Sequence, residues 1–174
     1  MAAAVRHGYQ NQTRTASNQQ PKTTKAEENT MAQFQIGSIS TGTLKTEDLI
    51  EAFNHALTDM HHGYWLDINE LMSEGADQAA MFNKQPTDEQ LQAWVLDRLM
   101  EELQAGCPPF VYFGTLPGDG ADFGFWPDWN ALEECQHDGE GEHVCRSNSA
   151  IIQINDHGNV TVMDMDRNVL WSVV

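Results

Sequence analysis

The chain has 174 residues, nine basic against 26 acidic, and a formal net charge of −17; that length suits one domain with a proper core and is too short for two comfortable ones. No stretch approaches the roughly 20 apolar residues of a membrane span, and the N-terminus lacks the basic-then-apolar pattern of a secretory signal, so a cytoplasmic protein is expected. Phosphate binding is driven by Lys and Arg displacing counterions, so this charge argues against direct binding of nucleic acid or of an anionic membrane; it is compatible with a protein partner of basic surface, with cations, or with plain solubility, the commonest of the three.

Residues 1–30 are rich in Gln, Asn, Thr, Lys and Ala, with one aromatic, Tyr9. They cannot bury enough surface to offset the entropy of ordering. Residues 1–32 are therefore expected to be a disordered tail, with Met31 reading like a natural start, and 33–174 a single acidic α+β domain. The tail holds Arg6, Arg14, Lys22 and Lys25 against Glu27 and Glu28, so 31–174 keep five cations against 24 acids, a charge of −19.

From Phe34 to Leu44 an alternation of Phe34, Ile36 and Ile39, broken by Gly37 and Gly42, predicts a weak edge strand and loop. Thr46 is a plausible N-cap, with Glu47 and Asp48 in the first turn where the helix dipole favours acids; Leu49, Ile50, Phe53 and Leu57 recur at helical spacing up to His61-His62-Gly63. Tyr64, Trp65, Ile68, Leu71 and Met72 predict a shorter second helix that ends before Gly75. The third helix is the clearest: Thr87 to Gln90 forms a capping box, Leu91, Trp94, Val95, Leu99 and Leu103 supply a buried stripe, and Gly106 with Pro108 and Pro109 stops it.

Beyond the prolines the period changes to two. Phe110–Phe113 and Ala121–Trp126 read as a hairpin about Pro117-Gly118-Asp119-Gly120. Ala150–Asn155 and Asn159–Asp164 read as another pair, and Val169–Val174 as a last strand with Val169, Trp171 and Val173 on one face. The expected fold is α+β, with about three N-terminal helices packed on a C-terminal antiparallel meander of about five strands.

The segment Cys135-Gln-His137-Asp-Gly-Glu-Gly-Glu-His143-Val-Cys145 is a mirror. Closed as a hairpin it would set Cys135 against Cys145 and His137 against His143 on one side. Such a Cys₂His₂ set is a recognised tetrahedral zinc site, so zinc is the one candidate cofactor, in a structural role because four protein ligands leave no open position. A disulfide between the two cysteines and a solvated acidic loop are the competing readings. Three cysteines in all (Cys107 is the third) do not make a disulfide-dense scaffold, which favours a reducing compartment.

No nucleophile or dinucleotide motif occurs. Asp164-Met-Asp166, and Asp119, Asp122 and Asp128, could serve a metal-dependent hydrolase, with solvated turns as the simpler reading. Glu47, Asp48, Glu51, Asp97, Glu101 and Glu102 give two helices acidic faces with few compensating cations. Such a face is either simply solvated or a partner surface that imitates the charge of a DNA backbone. Trp126 and Trp129, in an aromatic-dense hairpin with Tyr112, could add hot-spot contacts or belong to the core. The stretch Tyr112–Trp129, with Ser40-Thr41-Gly42-Thr43-Leu44, resembles small accessory proteins of bacteriophages and plasmids. That resemblance implies a genomic setting and no catalytic residue. The combined expectation is an acidic accessory protein that acts by protein–protein binding.

Overall fold

The computed structural model describes residues 34–60, 66–135 and 141–174, all within one unit, Met31–Val174; the expected disordered tail lies outside them. The class is α+β, but the order is not helices followed by one meander. A strand, β1 (Gly37–Thr41), precedes helices α1 (Thr46–Met60), α2 (Ile68–Met81) and α3 (Asp88–Ala105). Then come β2 (Val111–Leu116), β3 (Asp119–Pro127), a fourth helix α4 (Trp129–Cys135), and β4 (Gly141–Cys145), β5 (Ala150–Ile154), β6 (Val160–Asp164) and β7 (Val169–Val173). The strands form two antiparallel sheets, β1-β3-β2 and β4-β5-β6-β7. The five-stranded estimate therefore falls short, because β1, ahead of the helices in the chain, pairs with β3 and Gly141–Cys145 adds the strand β4 beside β5, with Asp128 capping a helix between β3 and β4.

In the first sheet Phe113, Phe123 and Phe125 face inward by period-two alternation, and Phe53 of α1 inserts among them. Phe53 stands edge-on to Phe113 at 5.0 Å and to Phe123 at 5.4 Å between centroids, the arrangement that aromatic quadrupoles prefer. The exposed edge of β2 is partly closed by α3, whose Gln104 Oε1 accepts the Phe113 N–H at 3.0 Å, so one group that could recruit a foreign strand is already used.

The second sheet is a meander with the same turn used twice. Asn155 Oδ1 accepts the N–H groups of His157 and Asn159, and Asp164 Oδ1 those of Asp166 and Asn168, at 2.8–3.0 Å. In each turn one residue takes a positive φ, Gly158 at 81° and Arg167 at 67°. Arg167 carries a side chain into a region glycine prefers, and its guanidinium makes two 2.9 Å bonds to Glu142 on the edge strand β4. A bulge between Val162 and Met163 pairs Val169 with Met163. Val169 therefore turns outward and is exposed while Trp171 is fully buried, which corrects the single face expected for Val169, Trp171 and Val173. The Trp171 indole N–H donates to the Pro109 carbonyl at 2.8 Å, tying this sheet to the connection after α3.

α3 packs against both α1 and α2, whereas among the described elements α2 packs on α3 alone. Thr46, expected as an N-cap, is already helical: the Leu49 N–H bonds the Lys45 carbonyl, and Thr43 holds Asp48 instead. The largest departure is α2. Asp67 caps it by accepting the N–H groups of Asn69 and Glu70, and it passes through Gly75 to Met81. Tyr64 and Trp65, expected at its start, lie outside the described residues. Gly75 does not end the helix, because its bare Cα lies against Trp94 of α3; a Cβ there would meet the indole at 3.0 Å.

Candidate partner-binding site

The acidic residues of α1 and α3 are where their helical spacing put them. Glu47, Asp48, Glu51, Asp97 and Glu101 are exposed and Glu102 is half-buried. Arg98 bonds Glu101 at 2.6 Å and Glu102 at 3.0 Å, so one cation offsets two of these carboxylates. The tryptophans belong elsewhere. Trp126 alternates onto the face of the first sheet opposite Phe123 and Phe125, where its indole N–H donates to the Gly114 carbonyl at 3.0 Å. Tyr112 is its cross-strand neighbour there, and burial, then the Asp128 charge, raises the Tyr112 phenol above its usual range. Trp129 starts α4 and is 51% exposed. Sheet β1-β3-β2 therefore stands between Trp126 and helix α1, and these residues do not form one surface.

Cys135 ends a helix rather than facing Cys145 across a hairpin; β4 pairs instead with β5, His143 opposite Ile152 and Cys145 opposite Ala150. Cys135 and Cys145 are joined by a disulfide with Cα atoms 5.6 Å apart. His143 is half-buried on the same side of β4 as Cys145, and His137 lies outside the described residues. Among the described residues no group of three or more His, Cys, Asp or Glu is placed to hold a metal. With two of three cysteines bonded, cysteine usage no longer points to a reducing compartment; no described helix is long and apolar enough to cross a membrane.

The remaining cysteine, Cys107, donates to the Leu103 carbonyl at 3.4 Å. Burial pushes its thiol from 9.0 up to about 12, and because the thiolate is the nucleophile, iodoacetamide at pH 8 should modify it about a thousandfold more slowly in the folded protein than in urea. Mass spectrometry of the time course measures this; equal rates would show an accessible thiolate.

Of the aspartates considered for a hydrolase, Asp119, Asp128, Asp164 and Asp166 are turn and cap residues, and Asp122 lies within β3. Asp119 accepts the Ala121 N–H and Asp128 the Ala131 N–H at the start of α4. Asp164 is held below the usual carboxylate range first by the Asn168 side-chain amide, then by the backbone N–H groups of Asn168 and Asp166. Asp122 Oδ1 is buried without a partner.

Sequence reasoning missed a groove between α2 and α3. At the end of α2, Asn83 takes φ 54°, the Lys84 N–H bonds the Ala79 carbonyl and the Asn83 N–H the Ala80 carbonyl, the paired bonds of a Schellman cap. The chain reverses so tightly that Met81 and Phe82 are left 78% and 74% exposed. Beside them is an open groove of about 340 Å³, with Gly75, Ala79 and Phe82 on one wall, Leu91 and Trp94 on the other, and Pro86 and Lys84 at the turn. Among the described elements α2 has α3 as its single neighbour, and of its 14 residues only Leu71 and Gly75 are buried. The legible signal was the Met81-Phe82 pair directly before Asn-Lys-Gln-Pro.

No family model, curated protein or solved structure matches the chain. Function is therefore read from these surfaces. From 66 to 105 the chain carries nine carboxylates against Lys84 and Arg98, and Arg98 is already paired. An exposed apolar edge within an acidic helical layer is the feature that solubility alone does not require.

Proposed function

We propose that this protein is an accessory factor of the phage or plasmid type that acts by binding a protein with a basic surface and competing there with nucleic acid. The observation that carries the reading is the acidic helical layer, in which Glu47, Asp48, Glu51, Asp97 and Glu101 point into solvent and Arg98 neutralises only its own neighbours. Such a field raises the encounter rate with a cationic groove and repels nucleic acid itself. No reactive group is required for this action.

The immobilised protein should retain its partner at low ionic strength and release most of it at about 0.5 M salt, where the Debye length falls to a few ångströms. A short DNA duplex should elute the same partner. Retention indifferent to both salt and duplex would refute the proposal.

A further inference from the structure

Resting on that reading, we infer that the α2–α3 groove is the seat of a basic amphipathic helix of the partner, whose bulky apolar side chains fill the space beside Phe82 and Trp94. α2 and α3 form a hairpin whose shared groove is lined mainly by apolar groups, Ala79, Phe82, Pro86, Leu91 and Trp94, together with Gln78, Gln90 and Lys84. A third helix laid along two is the usual way such a groove is covered. It would give α2 a second neighbour beside α3, its one partner among the described elements.

Charge decides which helix. From Trp94 toward the open end of the hairpin, Asp97 and Glu101 follow one and two turns along α3, and Glu74 flanks Gly75 on α2; all three are exposed. Among the described residues of the lining Lys84 is the one charged group, and it lies at the opposite end, at the turn. The groove is thus polarised, with apolar groups and the Lys84 cation at the turn and carboxylates beyond it. Its occupant carries Leu- or Phe-like anchors at one end and Lys or Arg one to two turns further on. An acidic amphipathic helix would meet Glu74 on one wall and Asp97 on the other, with Arg98 already bonded to Glu101 and Glu102, and be rejected.

The test uses the full chain and three fluorescent 16-residue probe peptides, read by anisotropy at about 0.15 M salt: a helix with a Leu face and a Lys face, the same helix with Glu for Lys, and one with Ser for Leu. The Leu/Lys peptide should bind tightest, and Phe82→Asp and Ala79→Glu should each weaken it about tenfold or more. Both variants add negative charge, so attraction by charge alone predicts tighter binding, the opposite sign. Phe82 is exposed, so Phe82→Asp should fold normally, and circular dichroism checks this. Leu/Lys binding that is unchanged or tightened in folded Phe82→Asp would overturn the groove assignment and leave the proposed function standing. Equal binding of the Leu/Glu peptide would overturn the charge assignment, and a protein dimer dissolved by Phe82→Asp would make a second copy the occupant instead. Failure of both Lys-bearing peptides to bind even at low salt would count against the proposed function itself.

Discussion

Gly124→Ala should destabilise the protein by about 3 kcal/mol or more, at the upper end of what a single added methyl costs by overpacking. β3 is the central strand of the first sheet, and Gly124 is paired with Ser38 of β1 and Gly114 of β2. A Cβ built on Gly124 collides with the Gly37 carbonyl oxygen and comes within 2.8 Å of Gly37 C and Ser38 Cα. These are backbone atoms, so no side chain can swing aside. β1 would have to leave the sheet or shift register, and its displacement would break the edge contact of Phe34 on Phe125, 4.9 Å between centroids. Gly114→Ala is the control on the same face, because its Cβ would only touch the Tyr112 ring at 3.5 Å, an ordinary packing distance. Denaturant midpoints compared across the two variants measure the difference. A Gly124→Ala protein as stable as the Gly114→Ala protein would show that β1 is not held as closely as described.

Asn54→Leu should cost about 3 kcal/mol although it keeps the branched shape of the side chain and adds apolar surface. Asn54 is 1% exposed on a helix face otherwise filled by Leu49, Phe53 and Leu57. Its amide donates to the Leu66 carbonyl at 3.0 Å and accepts the Leu66 N–H at 3.3 Å, so one side chain satisfies both polar groups of a backbone residue just ahead of α2. Leucine would leave the pair unbonded, and each buried orphan costs about 1–3 kcal/mol. The destabilisation should appear in the denaturant midpoint, and amide exchange at Leu66 should quicken by more than the global loss explains. A neutral substitution would mean that water replaces the amide at this point. Because Leu66 leads directly into the Asp67 cap, the loosened connection should also disorder α2 and weaken any ligand of its groove.

Elements whose local chemistry agrees with their surroundings were legible in the sequence. The capping box of α3 is as read, with Gln90 N–H to Thr87 at 3.3 Å and Thr87 N–H to Gln90 at 3.0 Å; the turns after Leu116, Ile154 and Asp164 and the stripe Val95, Leu99 and Leu103 also hold. What failed depended on contacts distant in the chain. Gly75 resembles a helix stop until Trp94 lies against it. Cys135 resembles a strand residue until Asp128 caps a helix in front of it. The number of sheets was hidden because β1 pairs with a strand more than 80 residues later, as Ser38 does with Gly124, and no local pattern records that choice. The acidic faces could be seen from composition, while the groove could not, since it exists only where α2 and α3 meet.

The Phe34 N–H bonds the Leu170 carbonyl at 2.8 Å, which stitches the strand-ward lead of β1 to the final strand of the second sheet. During synthesis β1, the helices and β3 leave the ribosome long before β7 does. The nascent chain must hold the pocket for Trp171, and the Phe34 N–H, without their partners until β7 has emerged. Slowed elongation over the last strands should therefore prolong the period in which the emerging polypeptide depends on chaperones, and a stalled product lacking β7 should be a preferred target for proteases.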